Sequence, residues 1–122
     1  MPSGLMRADF LLSRGQQQMW LEVKSVTLVE DGVAMFPDAV TERGRRHLHC
    51  LSERLLQGDA ATCLFLVQRN DARRVAPAAH IDLEYAEVFA SAWQAGVQML
   101  AYEAMVSPRG ITLGRSLPVH LT

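Results

Sequence analysis

Apolar and polar positions alternate along the first third of the chain, and a period of two predicts paired strands. Ala8-Asp9-Phe10-Leu11-Leu12 reads as a short strand. Gln18 to Leu28 reads as a second, with enough β-branched content to suit one face in a core. Ser13-Arg14-Gly15-Gln16-Gln17 supplies the hairpin turn between them. Glu30-Asp31-Gly32 is a further turn, and Val33-Ala34-Met35-Phe36 is a short strand before Pro37. The period then changes. Leu48, Leu51 and Leu55 recur at helical spacing over residues 41–57, with Thr41 as cap and Gly58 past the end. Ala61 to Val67 is a continuous apolar run of strand length, which predicts a buried central strand. Residues 68–80 read as a loop carrying Arg69, Arg73 and Arg74. Asp82 caps a second helix with Ala86, Phe89 and Trp93 on its apolar stripe, and Gly96 ends it. Val97 to Val106 is another strand, and the tail, with Pro108, Gly110, Gly114 and Pro118, is turns with an edge strand. The order predicts an α/β fold, a mixed β-sheet flanked by helices.

Length and composition change this picture little. With 122 residues, 49% hydrophobic and 20% charged, the chain suits one globular domain with one core. No apolar run is long enough to span a bilayer and the first residues lack signal-peptide character, so a cytoplasmic location is expected. Cys50 and Cys63 are too few for a disulfide framework or a four-cysteine zinc site and read as buried, reduced thiols. A net charge of −1 does not mark the whole domain as a nucleic-acid binder, so any such surface must be local. Eleven of the twelve basic residues are Arg, and the single Lys is Lys24.

That lysine belongs to the arrangement with most chemical content. On a strand, Glu22 and Lys24 project to one face, and Val23 is expected to point into the core. If the first two strands form a hairpin, Asp9 comes alongside Glu22. Asp9 and Glu22, with a nearby backbone carbonyl at Val23, then make a hard-oxygen site for Mg²⁺ or Mn²⁺. Such a metal acidifies a bound water and neutralises charge at phosphorus, and Lys24 adds electrostatic stabilisation. These are the parts of a phosphodiester hydrolase. On the spacing alone, an ordinary cross-strand ion pair on a wet strand face is the competing reading.

Asp9-Phe10-Leu11-Leu12, Leu21-Glu22-Val23-Lys24-Ser25-Val26-Thr27-Leu28 and the run from Phe36 to Leu48 resemble the sugar fermentation stimulation (SfsA) family. His80-Ile81-Asp82, Tyr85-Ala86, Gly96-Val97 and Ser116-Leu117-Pro118-Val119 extend the resemblance over residues 7–122. It implies a domain of the PD-(D/E)xK, restriction-endonuclease-like superfamily, which in this family follows an OB-like domain, and a role in DNA binding and the regulation of sugar, notably maltose, metabolism. Asp9 then corresponds to the metal-binding aspartate, and Glu22 and Lys24 to the (D/E)xK pair. The literal Pro37-Asp38 lies after this pair, not before it. Against the family pattern, residues 1–122 are expected to form one nuclease-like domain, without the OB-like domain and the opening helix and strand of the core. An exposed sheet edge and a homodimer formed through it are therefore expected.

Arg43, Arg45, Arg46 and His47 are either phosphate contacts beside the metal site or a solvated helix face balanced by Glu42 and Glu53. Asp38 and Thr41 are candidates to line the site, Thr41 alternatively as a helix cap. His49 reads as surface, and Trp20 either floors the site or packs under a helix. Three readings follow: a Mg²⁺-dependent deoxyribonuclease, a DNA-binding regulator of sugar metabolism that retains the fold without cleaving, and an interaction module with an incidental ion pair.

Overall fold

The computed structural model describes residues 10–122. Its elements are β1 (Phe10–Arg14), β2 (Gln17–Val26), β3 (Leu28–Glu30), β4 (Val33–Phe36), α1 (Glu42–Leu56), β5 (Ala60–Val67), β6 (Arg74–Pro77), α2 (Leu83–Ala95), β7 (Gln98–Ser107) and β8 (Gly110–Ser116). Five strands form a mixed sheet in the order β1-β2-β5-β7-β8. The outer pairs, β1 with β2 and β7 with β8, are antiparallel, and the inner pairs are parallel. A second sheet has the order β3-β4-β6.

The chain moves across the large sheet in one direction, from β2 to β5 to β7, and each step carries a helix. Parallel crossovers are right-handed, so two steps in the same direction put both helices on the same face. The core has that composition. Trp20 and Val26 of β2, Cys63, Phe65 and Val67 of β5, and Met99 and Ala101 of β7 are buried with Leu48 and Leu51 of α1 and Tyr85, Phe89 and Ala92 of α2. On the opposite face Leu21, Val23, Leu64, Leu100 and Tyr102 are half-exposed.

Helix boundaries follow local capping. Thr41 is extended and its hydroxyl accepts from Gly44 N, while Asp82 caps α2 by accepting from Tyr85 N. Gly96 closes α2 with φ 117°, a conformation side-chain-bearing residues resist. The α2 stripe is rotated by one position from the expected Ala86, Phe89 and Trp93. Tyr85, Phe89 and Ala92 are buried, and Trp93 lies partly buried with its ring edge-on to Phe89. Two strands differ from expectation. The second strand stops at Val26, and Leu28–Glu30 turns away to pair with β4. Residues 74–77, expected in a loop, form β6 beside β4. Val75 is held there from the chain's far end, donating to Pro118 O at 2.9 Å and accepting from His120 N at 2.8 Å. Four residues are too few to display a period, and partners some forty positions away leave no local mark. Cys50 and Cys63 are buried, as expected, and burial, then the Glu53 charge, pushes the Cys50 thiol up.

Candidate functional site

Glu22 and Lys24 lie on one face of β2, as the alternation requires, but it is the helix-covered face. Val23 points the other way, to the half-exposed side, which corrects the expectation that it faces the core. The residues bracketing the pair explain the choice: Trp20 and Val26 share its face and are buried. Glu22 is 4% exposed and Lys24 partly buried at its rim.

Helix α1 brings His47 over this pair. Its Nδ1 is 3.0 Å from Glu22 Oε1, Lys24 Nζ is 3.0 Å from the same oxygen, and Nζ and Nδ1 are 3.3 Å apart. His47 is buried because α1 turns Gly44, His47, Leu48 and Leu51 toward the sheet. The Lys24 ammonium lies 5.8 Å from the centroid of Phe36, whose ring packs edge-on against Tyr85 at 5.3 Å. Two buried polar atoms here have no hydrogen-bond partner among the described residues, Glu22 Oε2 and Tyr85 Oη. Burial, followed by the nearby Cys63, Glu22 and Asp82, raises Tyr85 well above its ordinary value, so its hydroxyl stays neutral. Tyr85 and Phe36 come beside the pair from α2 and β4, unexpected from their sequence positions. The i+4 spacing of Tyr85 from Phe89 was the available signal for its inward orientation.

Asp9 lies outside the described residues. Among those described, no group of three or more His, Cys, Asp or Glu side chains is arranged to hold a metal. Arg43 and Arg46 are exposed on α1, Arg46 with a long 3.9 Å pair to Glu42, and His49 is exposed near them. Arg45 turns inward: its Nη1 lies 3.1 and 3.2 Å from the two oxygens of buried Asp82. Asp82 also accepts from Thr41 N at 2.9 Å, so one carboxylate ties together the starts of both helices. Thr41 serves as the cap of α1, and Asp38 is exposed on the bend before it. Trp20 packs under the end of α1, with the Arg54 guanidinium 4.3 Å from its ring and its indole N–H donating to Asp59. In the loop cluster, Arg69 pairs with Asp71, Arg73 donates to Asp31 O and Arg74 to Thr122 O. No described helix is long and apolar enough to cross a membrane.

Against known proteins, the family described as the sugar fermentation stimulation protein RE domain (SfsA) matches residues 2–110. Sugar fermentation stimulation protein homologs from Syntrophobacter fumaroxidans and Geobacter sulfurreducens are 51% and 52% identical over 117 and 113 residues. These alignments cover 96% and 93% of this chain but 45% and 48% of the relatives, so the chain spans about half their length. The structure of Pyrococcus furiosus SfsA in complex with Ca²⁺ superimposes with a TM-score of 0.84 at 29% identity, covering 93% of this chain and 50% of that one. Sequence and fold agree, and the chain belongs to the sugar fermentation stimulation protein (SfsA) family.

Proposed function

We propose that this chain binds DNA through a metal-dependent, nuclease-like site and hydrolyses its phosphodiester bonds. The observation that carries the reading is the Glu22–Lys24 pair, held on one strand with its charges 3.0 Å apart under α1. Burying a carboxylate and an ammonium costs several kcal/mol per ion before their attraction is counted, about the cost a core of plain apolar residues avoids. A chemical task accounts for retaining them. Glu22 Oε2, a buried acceptor without a described hydrogen-bond partner, suits a cation. Phe10 pairs with Leu21, and each has an acidic neighbour in the chain, Asp9 before Phe10 and Glu22 after Leu21. Asp9, Glu22 and the Val23 carbonyl would hold Mg²⁺ or Mn²⁺, which are hard, oxygen-seeking ions like the Ca²⁺ named with the Pyrococcus furiosus relative. The bound ion supplies charge neutralisation at phosphorus and an acidified water. Lys24 stabilises charge developing on the phosphoryl oxygens. Arg43 and Arg46 grip the backbone from the exposed side of α1, and Arg45 fixes that helix start through Asp82. The protein works in the cytoplasm, and β1, an edge of the large sheet among the described residues, is the surface through which a homodimer would pair.

The experiment is cleavage of plasmid and linear DNA with and without Mg²⁺ or Mn²⁺, beside Glu22→Gln and Lys24→Ala. Metal-dependent cleavage that falls by about a hundredfold or more in either variant is expected, the size seen when one electrostatic group at a reacting centre is removed. The second reading, a regulator of sugar metabolism that binds DNA without cutting it, is favoured by how closed the pair is, with Glu22 4% exposed. Salt-sensitive binding that survives both substitutions, with no cleavage by the parent chain, would establish it instead.

A further inference from the structure

The nuclease-like reading leaves a histidine without a task. His47 was expected among phosphate contacts, yet it is 7% exposed and its Nδ1 lies 3.0 Å from Glu22 Oε1. A buried ring facing a carboxylate cannot at the same time grip a DNA backbone. We infer that His47 is a positioning residue: its Nδ1–H holds Glu22 Oε1 and thereby leaves Oε2 as the atom that meets the divalent cation. The inference rests on the nuclease-like reading for its metal, and on geometry for its hydrogen bond.

The geometry assigns the hydrogen. Glu22 Oε1, Lys24 Nζ and His47 Nδ1 form a triangle with sides of 3.0, 3.0 and 3.3 Å. The ammonium brings hydrogens and no lone pair, and the carboxylate brings lone pairs and no hydrogen. An Nδ1 lone pair would set two acceptors against each other across the 3.0 Å contact to Oε1, whereas a hydrogen on Nδ1 is opposed only by the Lys24 ammonium at 3.3 Å, and the shorter contact, to the carboxylate, decides. With the hydrogen on Nδ1, the oxygen instead receives two charge-assisted donors, one from its own strand and one from α1. Two donors from different elements fix both the rotation and the depth of the carboxylate, which one donor does not. Oε2 is buried and lacks a hydrogen-bond partner among the described residues. The two oxygens are thus divided between two tasks. Outer groups that orient a ligand in this way commonly set metal affinity by ten- to a hundredfold.

Asparagine places its amide nitrogen where Nδ1 sits, whereas glutamine places it near Nε2. The test is therefore Mn²⁺ titration by calorimetry of the full chain, His47→Asn and His47→Gln, with folding followed by circular dichroism. His47→Asn is expected to bind Mn²⁺ within about threefold of the parent and His47→Gln about tenfold more weakly or worse. Nitrogen-15 spectra of the parent without metal should show the His47 hydrogen on Nδ1, and Glu22→Leu should abolish that preference. Equal affinity for the parent and His47→Gln, or a His47 hydrogen found on Nε2, overturns the role of His47 while leaving the metal site standing. A parent chain that shows the Nδ1 hydrogen but takes up no Mn²⁺ overturns the metal-positioning role and the nuclease-like reading together.

Discussion

Tyr85 and Asp82 stand three residues apart on one face of α2 and solve burial in opposite ways. The Tyr85 hydroxyl is fully buried and has no hydrogen-bond partner among the described residues. An unpaired buried hydroxyl costs about 1–3 kcal/mol relative to water. Tyr85→Phe should therefore be neutral or stabilising by up to about 1 kcal/mol in urea unfolding. A loss larger than that would show that the hydroxyl bonds to something functional. Asp82 is equally buried but saturated. Burial alone would raise its carboxyl, yet the backbone N–H groups of Thr41 and Tyr85, with Arg45, outweigh burial and hold it below its ordinary value of 3.8. A carboxyl depressed on folding contributes stability that is complete above its unfolded value and is lost as pH falls through the folded one. The urea midpoint of the parent should thus decline below about pH 4, and Asp82→Asn should flatten that decline while lowering stability by about 2 kcal/mol at neutral pH. A variant with the parent's acid profile would show that another carboxyl controls it.

At the scale of elements, α1 decides whether the site exists, because it carries His47 onto β2. Its approach to α2 is set by Gly44. A Cβ there would lie 2.8 Å from Thr41 Cγ2, 3.2 Å from Thr41 Oγ1 and 3.2 Å from Tyr85 Cε2. Thr41 cannot rotate away cheaply, because its hydroxyl caps the helix at Gly44 N. Gly44→Ala would gain about 1 kcal/mol on an isolated helix. Here we expect a net loss of about 1–2 kcal/mol, from a strained cap and an outward shift of α1. Calorimetric melting of the variant checks it, and a raised Tm would mean that the helices have room to part. Most of this architecture was legible in the residues. Thr41, Asp82 and Gly96 mark helix ends by local chemistry, and the apolar run of β5 marks a central strand. Four positions before Leu48 and Leu51 lie Gly44 and His47, so the burial of His47 was readable too. Alternation on β2 shows that Glu22 and Lys24 share a face, but not which face the helices cover. That depends on the direction in which the chain crosses the sheet, a property no short window contains. The strand β6 was hidden for the same reason, since Pro118 and His120 hold it.

On the whole molecule, a net charge of −1 means that the proposed attraction to DNA must come from where the arginines sit, not from how many there are. Among the described residues most of them are occupied. Arg45 is tied to Asp82, Arg54 lies against Trp20, Arg69 pairs with Asp71, and Arg115 pairs with Glu103 through bonds of 2.8 and 2.9 Å. Arg73 and Arg74 are spent on backbone carbonyls. Arg43 has no ion-pair partner among the described residues, and Arg46 has one long exposed pair. Exposed pairs of this kind contribute about 0–1 kcal/mol, so Arg46 can exchange Glu42 for a phosphate at little cost. Each phosphate neutralised on B-DNA adds about 0.9 to the steepness with which log affinity falls against log salt. Removing Arg43 and Arg46 together should lower that steepness by about 2 and weaken binding to all sequences alike, as measured by fluorescence anisotropy across a salt series. The double substitution Arg69→Ala with Arg73→Ala should leave the slope within about 0.5 of the parent's. If the loop pair lowers the slope and the helix pair does not, DNA runs over the loop after β5 rather than over α1, and the proposed grip of Arg43 and Arg46 is overturned.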